Sequence, residues 1–151
     1  MENSELKAKL LEACIKVQTE HLQVLKEEIV EAEKIANDND SGAEENMNSF
    51  REEMQNKREV FTRQFLIANN DLQLLHRMDN KIHDGGVQLG SVVYTETQKL
   101  YISVSLGKVE VDGVTYFSIS TQTPLYKVLM GKNKGDSASL NGKEVKLVEV
   151  F

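Results

Sequence analysis

The sequence predicts an α+β protein: an N-terminal antiparallel two-helix coiled-coil hairpin followed by a small antiparallel sheet domain with one helix. Three observations predict it. A seven-residue apolar repeat runs through the first half. Residues 1–84 hold no Pro and only Gly42, whereas 85–151 hold eight Gly and the only Pro. The second half alternates short β-rich runs with turn dipeptides. The composition breaks at Asp84-Gly85-Gly86, which reads as a turn between a coiled-coil domain, 1–84, and an α+β domain, 85–151.

The first helix is carried by Leu11, Ile15, Gln18, Leu22, Leu25, Ile29, Ala32 and Ala36, in alternating steps of four and three. Gln18 is its polar slot. The pattern stops at Asn37-Asp38-Asn39-Asp40-Ser41-Gly42, a cluster of turn formers. It resumes at Met47, Phe50, Met54, Lys57, Phe61, Phe65, Ala68, Leu72, Leu75 and Ile82, with Lys57 as the polar slot. A short loop folds such helices back on each other. A loop centred near residues 41–42 puts Leu22 opposite Phe61, Leu11 opposite Leu72 and small Ala32 near bulky Phe50. At 1.5 Å per residue such a hairpin is about 50 Å long, and its tip reaches far from its base.

In the second half, Gly90–Tyr94 and Leu100–Ser105 read as strands. Val109–Val111 and Thr115–Ile119 flank Asp112-Gly113, and Leu140 and Val145–Val150 flank Asn141-Gly142; both dipeptides are hairpin signals. Between them Thr123 offers an N-cap, Pro124 a first helical position and Gly131 a C-terminal stop, so one short helix interrupts the strands.

Composition removes several function classes. The net charge of −6 argues against non-specific nucleic-acid binding. No apolar run is long enough to span a membrane, and charges every few residues near the start fit no secretory leader. One Cys cannot form an internal disulfide and suits a reducing cytoplasm. The expected location is cytoplasmic and the expected state a monomer. Leu10, Val17 and Val24, seven apart, keep self-association open.

His21, His76 and His83 do not converge and read as helix-surface residues, Cys14 as a small buried one. The glycines have no phosphate-loop spacing. Lys127, Lys132 and Lys134 form either a solvated face or a docking surface for an acidic partner. The turn is the unusual place. Asp38, Asp40, Glu44 and Glu45 fall within eight residues with no base among them, and like charges so close repel. They either make a good loop and helix start or offer hard oxygen ligands for Mg²⁺. One acid cluster on a convex tip makes no pocket, so an enzyme in its own right is not expected.

The run Thr123-Pro124-Leu125-Tyr126-Lys127-Val128-Leu129-Met130-Gly131-Lys132, followed by Gly135-Asp136, resembles the C-terminal signature of the bacterial Gre transcript-cleavage factors. The predicted architecture is similar too, a coiled coil joined to an FKBP-like domain, and the short tip resembles a Gre-like branch of Bacteroidetes. The resemblance implies an accessory factor rather than an enzyme. It would bind RNA polymerase at the rim of its secondary channel through the C-terminal domain, with Thr123, Pro124, Lys127, Lys132 and Lys134 as contacts. The coiled coil would enter the channel and meet the nascent RNA and DNA of the elongation complex only indirectly. Asp40, Glu44 and Glu45 would help hold a Mg²⁺ shared with the polymerase active site and stimulate cleavage of backtracked RNA. Glu45 matches the family's first tip acid, whereas Asn48 stands at the second and Tyr126 where Gly is usual. Two alternatives remain: a Gre-fold polymerase modulator or inhibitor without cleavage stimulation, and a coiled-coil adaptor.

Overall fold

The computed structural model describes residues 2–37 and 44–151, and for 44–48 the backbone alone. Helix α1 spans Asn3–Asn37 and α2 spans Glu44–Arg77. Glu5 in the first turn of α1 and Lys34 in its last complement the helix dipole, as do His76 and Arg77 at the end of α2. The chain divides into two compact units, residues 18–73 and residues 1–17 with 74–151.

The first unit is the helix pair. Leu22, Leu25 and Ala68 are buried in its seam, with Phe61, Phe65 and Leu72 packed around them. Gln18 is buried too, and its Nε2 donates to the Ala68 carbonyl at 2.8 Å. The polar slot is therefore satisfied rather than left orphaned. The expected register puts Gln18 opposite residue 65, so the observed pairing lies three residues further along α2. Phe50 agrees with this shift: it is 37 % exposed, while Met54, one turn on, is buried. The register follows what the seam can close around, not the midpoint of the loop. Lys57, the second polar slot, lies in solvent.

The second unit is built on a six-stranded sheet. Its strands are β1 (Val92–Thr95), β2 (Lys99–Ser103), β3 (Gly107–Val111), β4 (Val114–Ser120), β5 (Ser137–Leu140) and β6 (Lys143–Val150). Helix α3, Pro124–Leu129, stands between β4 and β5. The spatial order is β3-β4-β2-β1-β6-β5. The sheet is mixed rather than wholly antiparallel, because β4 inserts between β3 and β2 and runs parallel to β2. Both predicted hairpins form. Asp112 and Gly113 have φ of 51° and 77°, Asn141 and Gly142 53° and 80°, the paired positive values of a type I′ turn.

Strand alternation gives the sheet two faces. Leu100 and Ile102 join Val93, Leu147, Ala138, Val87 and Leu129 of α3 in one core. On the other face Ser103 and Ser118 lie 2.6 Å apart, oxygen to oxygen, and each is 3.9 Å from the Sγ of Cys14 on α1. The base of α1 covers this face, with Leu6, Lys7, Leu10 and Cys14 buried. The expected seam residues Leu11 and Ile15 are only half-buried, because here the helix packs on the sheet and turns a different side inward. Ile82 leaves the predicted seam altogether: α2 ends at Arg77, and Ile82 is exposed beyond it. An Asp79 side chain accepting from the Lys81 backbone N–H at 3.0 Å helps turn the chain there.

Candidate functional site

The segment from Thr123 to Asp136 explains most of its own sequence. Thr123 Oγ1 donates to the Ser120 carbonyl at 2.8 Å and accepts from the Tyr126 N–H at 3.3 Å. It is an N-cap whose hydroxyl is already used, and Pro124 follows at the first helical position. Leu129 is fully buried, and the Met130 N–H donates to the Tyr126 carbonyl at 2.8 Å. Gly131 follows with φ 77°, the left-handed stop that the sequence predicts.

The exit of α3 is stitched to the start of the sheet domain. Gly131 N–H donates to the Val87 carbonyl at 2.8 Å, and Val87 N–H to the Lys132 carbonyl at 2.9 Å. Gly86 makes this possible: a Cβ there would collide with the Gly131 carbonyl. Asp136 closes the loop, its carboxylate accepting from the Asn133 N–H at 2.8 Å. Gly135 and Leu147 then pair the loop to β6.

What this frame presents outward is Pro124, Lys127, Met130 and Lys134, with Lys132 half-buried. Lys134 pairs with Glu149 at 3.4 Å, while Lys127 and Lys132 have no ion pair among the described residues. The three lysines flank one loop, but only two carry charge unmatched by a neighbour. Met130 is 60 % exposed beside them. Sequence reading missed it, since its seat between buried Leu129 and Gly131 gives no sign of which way it faces. Tyr126 packs partly buried against the sheet core.

The acidic tip lies outside the described residues: Asp40 is not described, and Glu44 and Glu45 are placed only as the first backbone turn of α2. Among the described residues no three His, Cys, Asp or Glu side chains group as a metal site. His21 and His76 are exposed. His83 is half-buried, and burial together with the nearby Lys7 charge pulls its imidazole below the usual range. With Leu74, Arg77, Met78, Asp79, Leu89 and Gly90 it lines an open cleft of about 320 Å³ that the sequence did not announce. Burial also pushes the Cys14 thiol up, so it is no ready nucleophile. No described helix is long and apolar enough to cross a membrane.

No family model matches the chain, and no curated protein matches it. Among solved structures it is similar to the GreA factor homolog 1 (Gfh1) protein of Thermus thermophilus. The identity is 21 % over 91 % of this chain and 94 % of that one, at a TM-score of 0.34. A second structure, titled the transcription factor Gfh1, gives 20 % identity, 91 % and 93 % coverage and a TM-score of 0.35. Likeness at this level carries no argument for function.

Proposed function

We propose that the protein is a Gre-like transcription elongation factor that binds RNA polymerase at its secondary channel. The observation that carries this reading is the Thr123–Asp136 segment, seated on a six-stranded sheet in a chain that begins with a two-helix hairpin. Most of the signature maintains a cap, a glycine stop and a closed loop; Lys127, Lys132 and Met130 are what it offers a partner. Lys127 and Lys132 would meet an acidic surface, with Met130 supplying adaptable apolar contact between them.

In this reading the protein is an accessory factor and not itself the enzyme. Asp40, Glu44 and Glu45 are hard oxygen donors suited to Mg²⁺, which takes few protein carboxylates and completes its shell elsewhere. The ion would belong to the polymerase, and the tip would add ligands to it. The second reading, a channel binder that modulates without cleavage, draws on Asn48, a neutral amide where the family signature has an acid.

The test is a pull-down of core RNA polymerase with the full chain, followed by RNA cleavage in a backtracked complex. Binding with cleavage above polymerase alone, lost in Glu45→Ala, supports the cleavage factor. Binding without cleavage selects the modulator, and Asn48→Glu is then the attempt to gain activity. Failure to bind polymerase ends both readings.

A further inference from the structure

The helix pair carries an apolar face that its own seam does not use. Val24 on α1 is 54 % exposed, and on α2 Val60 and Ile67, seven residues apart, are 41 % and 64 % exposed. Their placement follows from the seam. Leu22 and Phe65 each begin a three-residue step of it, to Leu25 and Ala68. Val24 and Ile67 each lie two residues after such a position, and Val60 one heptad before Ile67. In an antiparallel pair, these equivalent positions fall on the same side of both helices. Between them on that side stand His21 and Gln64, one residue before Leu22 and Phe65. Glu28 and Lys57, one heptad from His21 and Gln64, share that row, so the face is apolar at its flanks and carries one acid on α1 and one base on α2 along its centre.

Its border is polarised. On α1 it is acidic, with Glu20 and Glu27 exposed; on α2 it carries Arg63, exposed and without an ion pair among the described residues. The Gln18–Ala68 hydrogen bond fixes the level of one helix against the other. At that register Arg63 lies between the levels of Glu20 and Glu27, and Val60 lies within two residues of the level of Val24. A face with acid on one edge and base on the other, at matching heights, complements itself when turned over.

We propose that this face pairs with its counterpart on a second copy of the chain. The two helix pairs run the same way, so that α1 of each copy lies against α2 of the other. Val24 then meets Val60 of the other copy, and Arg63 sits between its Glu20 and Glu27. The opposite arrangement, α1 on α1, would set acid against acid and is disfavoured. The apolar flanks are few and each chain carries −6, so the association is weak. This self-association goes beyond the polymerase reading and does not depend on it.

Sedimentation of the full chain tests it. Between about 10 µM and 1 mM the mean mass should climb from one chain toward two. Ile67→Lys changes an exposed residue, so circular dichroism and melting temperature should hold while association weakens at least tenfold. Arg63→Glu should weaken it likewise, and adding Glu27→Arg should restore much of the loss. A chain that stays monomeric throughout overturns the proposal and leaves the face to a foreign partner. A dimer indifferent to both Ile67→Lys and Arg63→Glu uses another surface, and overturns it as well.

Discussion

The helix pair and the sheet solve the same problem of burial with unequal means. Between residues 18 and 73 the seam holds Leu22, Leu25 and Ala68, and its three large neighbours, Phe61, Phe65 and Leu72, stay partly exposed. The sheet encloses Leu100, Ile102, Leu129 and Leu147 completely on one face, and shields the other with the base of α1. Two helices alone can bury only a stripe each, whereas a sheet covered on both sides buries every second residue twice over. Stability should therefore concentrate in the sheet unit, and solvent-facing chemistry in the helix pair.

The widest contrast is between Leu129 and Phe61. Leu129→Ala empties a closed site and should cost about 3–5 kcal/mol in chemical denaturation. Phe61→Ala removes a larger ring from a half-open one and should cost only about 2 kcal/mol. Equal losses would erase the distinction between closed core and open seam.

Lys7 sharpens the comparison from the sheet side. It is fully buried, donates from Nζ to the Lys81 carbonyl at 2.9 Å and stands 5.9 Å from the Phe151 ring centre. Burial brings its ammonium down to about 8 from 10.5, with the charge of Asp79 working in the other direction. Between these values the unfolded chain binds more protons than the folded one, so stability rises with pH. Below about 8 the penalty is fully present and flat. Relative to Lys7→Met, the wild type should gain about 2–3 kcal/mol on going from pH 8 to pH 10.5. A flat difference curve would show that the site is wet.

The smallest structural effect belongs to the exposed lysines. Lys127→Glu with Lys132→Glu should leave the melt within about 0.5 kcal/mol of wild type. Under the proposed function the same pair should weaken polymerase binding, more at low salt than at high. Unchanged binding would move the docking surface elsewhere.

Much of this architecture was legible. The heptad steps foretold both helices, Asp112-Gly113 and Asn141-Gly142 both hairpins, and Thr123-Pro124 the start of α3, because each rests on local backbone chemistry. What could not be read is non-local. A hairpin signal fixes β3 against β4 but not which of the two lies next to β2. A heptad shows that α1 buries a stripe, yet not that its base turns Leu10 and Cys14 toward a sheet encoded about a hundred residues later. The candidate site divided the same way: the cap, the stop and the lysines were visible, while the exposure of Met130 and the cleft at His83 depend on packing.

Cys14 has a consequence for the order of events at the ribosome. Its serine neighbours are 89 and 104 positions away in sequence. When α1 emerges, the surface that will cover its base does not yet exist, and at about 5–20 residues per second it takes several seconds to arrive. Through that interval Leu6, Leu10 and Cys14 form a bare apolar strip on a nascent helix. The helix pair is free to zip as soon as α2 has left the exit tunnel; the sheet must wait for the final strand. Growth in the cell therefore passes through a stage in which a segment made well before the sheet is among the last to be sheltered, and that is the stage at which a chaperone would find this chain.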